Sequence, residues 1–419
     1  MMPGTALSAE KLRAGLRAWW REPRLNVWVW AVLAGLLFLR RPDVLLTPQL
    51  WAEDGSVFLL GQDAHGLAAA LQSYMGYLHT LPRLTAWAAD TLLDVAWWPA
   101  FYNAVAFAVW LGLLARLFSP RLNLPHRPWL AAGVLFAIQT PEIFLNLTNA
   151  QWAGALLLLL QTVIARPAEH RQRAGDLALV ALFGLTGPFV IPLLPLFAWR
   201  WWRERHGDNL SILVVAGICA IIQGACLHQA AITFDHQRAP LDAAAAVVAL
   251  ARRLVVLPLM GPTAARSLPA IIQAVIGVAA LGFLTWRALR ADDRRFTRCA
   301  LLAAGSLLMT AGFIRMRPDT WPGDDLAFSD RYFFHARVIL FWLLAFELEA
   351  VGRATAFTSR LALLAAVFTH VPVYRFPAPP DLRWRERCEP IRSGTAAGIP
   401  ILPAGWTLHY PGRPASGAR

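Results

Sequence analysis

Two adjacent carboxylates stand out in a chain that carries little charge: Glu53 and Asp54, in the run Trp51-Ala52-Glu53-Asp54-Gly55. A carboxylate at the edge of an apolar phase is desolvated, so its pKa rises and it can take a proton from a hydroxyl near neutral pH. Asp54 also precedes an amphipathic run, where its side chain can cap a helix N-terminus; the two roles are compatible. Tyr74, Tyr77, His79 and Arg83 follow in one short stretch. Aromatic faces with a histidine and an arginine suit a sugar and a phosphate, and equally suit an interfacial aromatic belt with a snorkelling arginine. The turn Asn146-Leu147-Thr148-Asn149-Ala150-Gln151 presents amides that can bind hydroxyls or satisfy one another. Arg315, Arg317, Asp319, Asp324, Asp325, Asp330 and Arg331 crowd a later segment, ahead of Tyr332 and His335. Arg331 is placed to grip a phosphate or to anchor the chain at a membrane interface. Asp324 and Asp325 can hold a divalent cation, although two neighbouring acids alone do not define a metal site. Cys219, Cys226, Cys299 and Cys388 form no CxxC and no zinc-site spacing.

These residues must be positioned by helices in a bilayer. The chain has 419 residues, 57% of them hydrophobic, and only 16% are charged, against about 25% in soluble domains. Several apolar runs approach the roughly 20 residues that cross a bilayer. The net charge of +13 comes almost wholly from arginine, Lys11 being the only lysine. The arginines cluster between apolar runs, as the positive-inside bias requires, which argues for a membrane and against nucleic acid as a partner.

Lys11, Arg13, Arg17, Arg21 and Arg24 place the N-terminus in the cytoplasm, before a retained first span at about Leu25–Leu39. A long outside loop, about 40–96, carries amphipathic stretches near Val57–Leu71 and Pro82–Leu93 that lie along the membrane surface. Further spans fall at about Trp97–Phe118, Pro128–Leu145 and Trp152–Ala165. The run Leu177–Trp199 is basic at both flanks and is interrupted by Thr186-Gly187-Pro188. Two cytoplasmic flanks demand an even number of crossings, so it divides into two short half-spans; a single kinked helix is the competing geometry. Spans follow at about Leu210–His228, before Arg287 and Arg290, and at Cys299–Ile314, Tyr332–Leu348 and Leu361–Val373. The total is about 11 crossings in a domain of residues 1–374, with outside loops also at 229–266 and 315–331. An amphipathic stretch around Ala243–Leu257 lies in the second loop, and a Pro- and Arg-rich tail, 375–419, emerges outside. No internal repeat is visible.

Taken together, the chain resembles the GT-C superfamily of membrane glycosyltransferases, many-span proteins whose long first outside loop carries one or two acids soon after the first span. The wording that carries the resemblance is Ala52-Glu53-Asp54-Gly55, Gly76-Tyr77-Leu78-His79 with Pro82-Arg83, Thr186-Gly187-Pro188-Phe189, Arg331-Tyr332-Phe333, and the closing Ile399-Pro400-Ile401 with Pro403 and Gly405-Trp406. The resemblance implies a bacterial inner-membrane enzyme that moves a sugar from a polyprenyl-phosphate donor to a glycan or glycolipid acceptor. It also implies an acidic base, Asp54 first and Glu53 second. Arg331 and Arg83 would contact the phosphate, and His79, Tyr77, Tyr332 and Asn149 complete the expected substrate- and lipid-phosphate-binding set. No cofactor is required on this view, and a divalent cation is an option. A transporter or flippase of lipid-linked sugars is the main alternative, but transporters place ionisable groups mid-span and often show repeats. Here most acids lie in loops, Arg337 being the main charge inside a span. A ligase or polymerase with a large late outside loop is a further alternative, disfavoured by the shortness of 315–331.

Overall fold

The computed structural model describes residues 26–137, 141–233, 242–291, 294–315, 325–327, 329–350 and 352–413. The expectations for Lys11, Arg13, Arg17, Arg21, Arg24, Arg317, Asp319 and Asp324 therefore fall outside the described residues.

The fold is mostly helical. Helix α1 (Val27–Arg40) starts where the Asn26 side chain accepts from the amides of Trp28 and Val29, both at 3.0 Å. It is followed by α2 (Thr80–Leu92), α3 (Trp98–Leu117), α4 (Arg127–Leu135), α5 (Ala150–Val163), α6 (His170–Gly184), α7 (Val190–Glu204) and α8 (Gly207–Thr233). The bundle closes with α9 (Ala243–Ser267), α10 (Ala270–Arg290), α11 (Arg295–Arg315), α12 (Phe334–Phe346) and α13 (Arg353–His370). Among the described residues, six helices are long and apolar enough to cross a membrane: Val95–Leu117, Gly207–Ala230, Ala243–Ser267, Ala270–Arg290, Arg295–Arg315 and Arg353–Val373. Their outward faces are rich in exposed Ile, Val, Leu, Trp and Phe, among them Ile221, Val275, Trp286 and Phe368, as lipid-facing surfaces are. This is a membrane-embedded, multi-pass helical protein.

The shorter helices have a different reason to be apolar. Every residue of α12 is buried, as is every residue of α5 except Val163. They are apolar over most of their length because they are surrounded by protein on all sides. The expected span Pro128–Leu145 is helical only as far as Leu135, and Pro141–Ile143 forms a 3-10 turn. The second-loop stretch differs too. It is not a simple surface helix but part of α9, which is helical and apolar over 25 residues and breaks at Gly261. The two arginines of the expected stretch, Arg252 and Arg253, turn inward. Arg252 donates to the Ala265 carbonyl at 2.6 Å and Arg253 to the Leu326 carbonyl at 2.8 Å, so neither opposes burial of the helix.

The run Leu177–Trp199 forms two helices, α6 and α7, rather than one kinked helix. Gly187, at φ 92°, reverses the chain between them. The reversal is fastened to the first loop: the Thr80 amide donates to the Leu185 carbonyl at 3.1 Å, and the Gly187 amide to the Leu78 carbonyl at 3.0 Å. Gln223 of α8 closes the joint, accepting from the Leu78 amide at 2.8 Å and donating to the Gly187 carbonyl at 3.0 Å.

Contacts sort the connecting segments into two groups at opposite ends of the helices. At one end, Asp176 accepts from Arg116 at 2.8 Å, Arg121 at 2.5 Å and Gln161 at 3.1 Å. Arg200 holds the Gln161 and Ile164 carbonyls, and Glu347 pairs with Arg287 and Arg298. At the other end, Arg41 binds the Phe144 carbonyl at 2.9 Å, Gln49 the Pro380 carbonyl at 3.0 Å, and Arg315 the Met75 carbonyl at 3.3 Å. Arg337 pairs with Asp330 through both guanidinium nitrogens, at 2.9 and 2.5 Å. The one charge expected inside a span is thus neutralised within α12 and its leading turn.

The tail is no loose appendage, nor is the chain free of strand. Ala397–Ile401 (β1) and Trp406–Tyr410 (β2) form an antiparallel hairpin whose Ile399, Ile401, Leu408 and Tyr410 point inward. With Trp384, Cys388 and Ile391 they share a hydrophobic core with Leu50, Phe58, Leu59 and Tyr102, separate from the core of the bundle. The first loop and the tail therefore fold as one cap over one end of the helices.

Candidate functional site

The acidic pair sits where this cap meets the bundle. The Leu402 amide donates to the Leu50 carbonyl at 3.0 Å, and the Ala52 amide donates back to the Leu402 carbonyl. Ala52 is held at φ 34°, a conformation an alanine adopts only when its surroundings impose it. From there Asp54–Leu59 winds as a π-helix, continued by Leu60–His65 and Gly66–Leu71. This is the expected first amphipathic stretch, and α2 is the second.

The backbone turns the two carboxylates in different directions. Asp54 is fully buried. It does not cap the helix it begins; its Oδ1 accepts from the Thr148 amide at 2.8 Å and the Thr148 hydroxyl at 2.6 Å, while Oδ2 has no protein partner. Burial, reinforced by the charge of Glu53, pushes the Asp54 carboxyl up to about 7 against the pull of Thr148. Glu53 is only partly buried. Burial raises it above the ordinary carboxylate range, helped by Glu142 and opposed by Arg331. Glu53, not Asp54, is the carboxylate that faces the arginine.

Arg331, on the turn Asp330–Phe333, forms an ion pair with Glu142. Its guanidinium lies 5.4 Å from the Tyr332 ring centre. Burial pulls the Arg331 pKa down, but Glu142 and Tyr332 carry it up. Tyr332 meets Trp152 edge-on at 5.7 Å. Tyr77 lies within the field of Arg315, Arg331 and Tyr332, and burial keeps its phenol above the usual range although the Gln151 side chain bonds it. Tyr74 is raised by burial and then by Glu53. Glu53, Tyr74, Tyr77, Glu142, Arg331 and Tyr332 thus form one partly exposed cluster, with exposed Arg315 at its edge.

Gln151 backs this cluster. It is buried, and its Oε1 has no protein partner. Gly187 makes room for it: a Cβ there would stand 2.3 Å from Gln151 Oε1. The reversal between α6 and α7 therefore sets the floor beneath Tyr77.

Three of the expected site residues lie behind the cluster. Arg83 is buried, with Nη1 3.3 Å from the Val57 carbonyl and its guanidinium 5.3 Å from the Phe58 ring. It braces the helix that carries the acids, and Gly61 leaves it space. Asn149 is consumed by its own turn, donating to the Glu142 carbonyl at 2.9 Å and accepting from Trp152 Nε1 at 3.2 Å. Asp54 is the third. His79 is buried as well, against Phe58, Tyr74 and Tyr77, the last at 4.5 Å, and so touches the cluster only from behind. Burial, with Arg83 nearby, lowers it to about 3, so its imidazole is neutral and cannot attract a phosphate by charge.

Sequence reasoning missed Glu142, Thr148 as the partner of Asp54, and Gln151 as the partner of Tyr77. For Glu142 a signal existed: it was a carboxylate inside an otherwise apolar run, which is a functional-site marker by default. Asp325 is described, Asp324 is not, and among the described residues no group of three or more His, Cys, Asp and Glu converges to hold a metal ion.

No protein-family model, curated protein or solved structure matches the chain.

Proposed function

We propose that this chain is a membrane glycosyltransferase of GT-C type that transfers a sugar from a polyprenyl-phosphate donor to a hydroxyl of a glycan or glycolipid. The cluster of Glu53, Arg331, Tyr74, Tyr77 and Tyr332 carries the reading. It brings a carboxylate with a raised pKa, a guanidinium and aromatic faces to one partly exposed spot. Glu53 takes the proton of the acceptor hydroxyl. The acceptor oxygen then bonds to the anomeric carbon, the bond from that carbon to the phosphate oxygen breaks, and its electron pair leaves with the phosphate. Arg331 stabilises the developing charge, which a phosphate leaving group needs more than a proton. Asp54 is a positioning residue that ties the acidic turn to Thr148.

This reading keeps about eleven crossings, to which six helices contribute by length and apolar composition, with shorter helices inside the bundle completing the rest. The end with Arg116, Arg121, Arg200, Arg287 and Arg298, which lie in or beside short connections between helices, faces the cytoplasm. The cap and the cluster then face the periplasm or cell exterior of a bacterial inner membrane, where lipid-linked sugars are consumed. No cofactor is needed in this scheme. The test is a panel of polyprenyl-phosphate sugars offered to the purified protein in nanodiscs, with transfer followed by mass spectrometry. Consumption of one donor in the presence of an acceptor supports the reading, and absence of consumption across the panel defeats it.

A further inference from the structure

We propose that Glu142 is a placeholder for the substrate's phosphate, holding Arg331 until an anionic phosphoryl group takes its position. The proposal rests on the reading of Arg331 as the phosphate contact, and adds how that contact is kept ready and what the ligand must displace.

Three observations carry it. First, the Arg331–Glu142 pair is open: its side chains are 37% and 36% exposed, so a ligand can reach both partners. Arg298 and Glu347 are 3% and 1% exposed, and Arg337 and Asp330 are 0% and 4%, so those pairs are locked inside the protein. Second, a carboxylate and a phosphate offer a guanidinium the same fork of oxygens, so Glu142 occupies Arg331 in the way the ligand would. Third, the Glu142 backbone is anchored independently of its side chain, because its carbonyl accepts from both Asn146 and Asn149. The carboxylate can leave Arg331 while the turn that holds Asp54 through Thr148 stays in place.

The charges explain why a placeholder is useful. Glu53 faces Arg331, Glu142, Asp54 and the Tyr74 phenol. Glu142 offsets the pull of Arg331 on Glu53, so Glu53 keeps more of its basicity than it would beside an uncompensated guanidinium. With Glu142 in place, Glu53 is spared until a phosphate arrives.

The experiment measures binding of polyprenyl phosphate, without a sugar, to the full chain in nanodiscs. Inorganic phosphate is a parallel ligand that separates the phosphoryl group from its lipid. Glu142→Gln is expected to bind about threefold more tightly than wild type, the size of a partly exposed ion pair, and Arg331→Gln about tenfold more weakly. A gain for Glu142→Gln with both ligands supports a site for the phosphoryl group itself, and a gain with polyprenyl phosphate alone supports a site that also reads the lipid. Unchanged or weaker binding by a folded Glu142→Gln overturns the proposal. Glu142→Asp, which keeps the charge and withdraws it by one methylene, provides the same comparison should Glu142→Gln not fold, with a smaller gain expected. The inference and the transferase reading fail separately. Binding controlled by Glu142 and Arg331 without sugar transfer removes only the latter, and transfer with binding indifferent to Glu142 removes only the former.

Discussion

Replacing Asp54 by asparagine should change how stability depends on pH, and the size of the effect follows from its burial. Asp54 has an ordinary value of 3.8 and is pushed up to about 7 in the folded chain. The folded state therefore favours the protonated form. Between those two values the unfolded chain has released this proton and the folded chain has not, so stability falls as pH rises and the loss is complete above the folded value. At 1.36 kcal/mol per unit, ionised Asp54 costs about 4 kcal/mol at pH 8. Asparagine keeps the Oδ1 acceptor for the Thr148 amide and hydroxyl, and never ionises. Its amide nitrogen replaces Oδ2, which has no protein partner, and an unsatisfied buried donor costs about 1–3 kcal/mol. The two effects oppose each other. The variant should be less stable than wild type at pH 4 and more stable at pH 8, so the curves of thermal midpoint against pH cross. The assay is thermal unfolding of both proteins in nanodiscs across that range. Parallel curves would refute the claim that Asp54 is buried and prefers its proton.

Gly187→Ala should destabilise the chain by about 1–3 kcal/mol, since it adds a Cβ at positive φ and drives it against Gln151; thermal unfolding measures the loss, and a neutral result would remove the α6–α7 reversal as the floor of the site. Arg83→Gln should lower the thermal midpoint yet leave the KM for the donor unchanged, because Arg83 braces the Val57 carbonyl. A rise in KM at constant stability would instead return Arg83 to the phosphate.

Much of the architecture was legible because its signals are local. Apolar length announced most of the helices, and Thr186-Gly187-Pro188 announced the break between α6 and α7. The acidic pair was visible too, but not which acid faces the cluster. That depends on the Leu402 contact that holds Ala52 at positive φ and on Thr148 receiving Asp54, partners 350 and 94 positions away (402 − 52 and 148 − 54). Arg83 and Asn149 looked available because their consumers, the Val57 and Glu142 carbonyls, are backbone atoms that every residue carries. Glu142 was absorbed into an apparent span, as its run is apolar enough to pass for one, although the helix stops at Leu135. The hairpin of the tail escaped notice because Pro400 and Pro403 suggested irregular chain. Pro400 occupies an outward-facing position of a two-stranded edge, where a missing amide donor is tolerated.

The assignment of Glu53 as the base is tested most directly by the pH dependence of kcat/KM for sugar transfer in wild type, Glu53→Gln and Asp54→Asn. Wild type should lose activity on the acid side at a pH above the ordinary carboxylate range. Glu53→Gln should fall by about 10²- to 10⁴-fold with its donor KM nearly unchanged, while Asp54→Asn keeps most of its activity at pH 8. Wild-type rates from Glu53→Gln, or loss of activity confined to Asp54→Asn, would contradict the account.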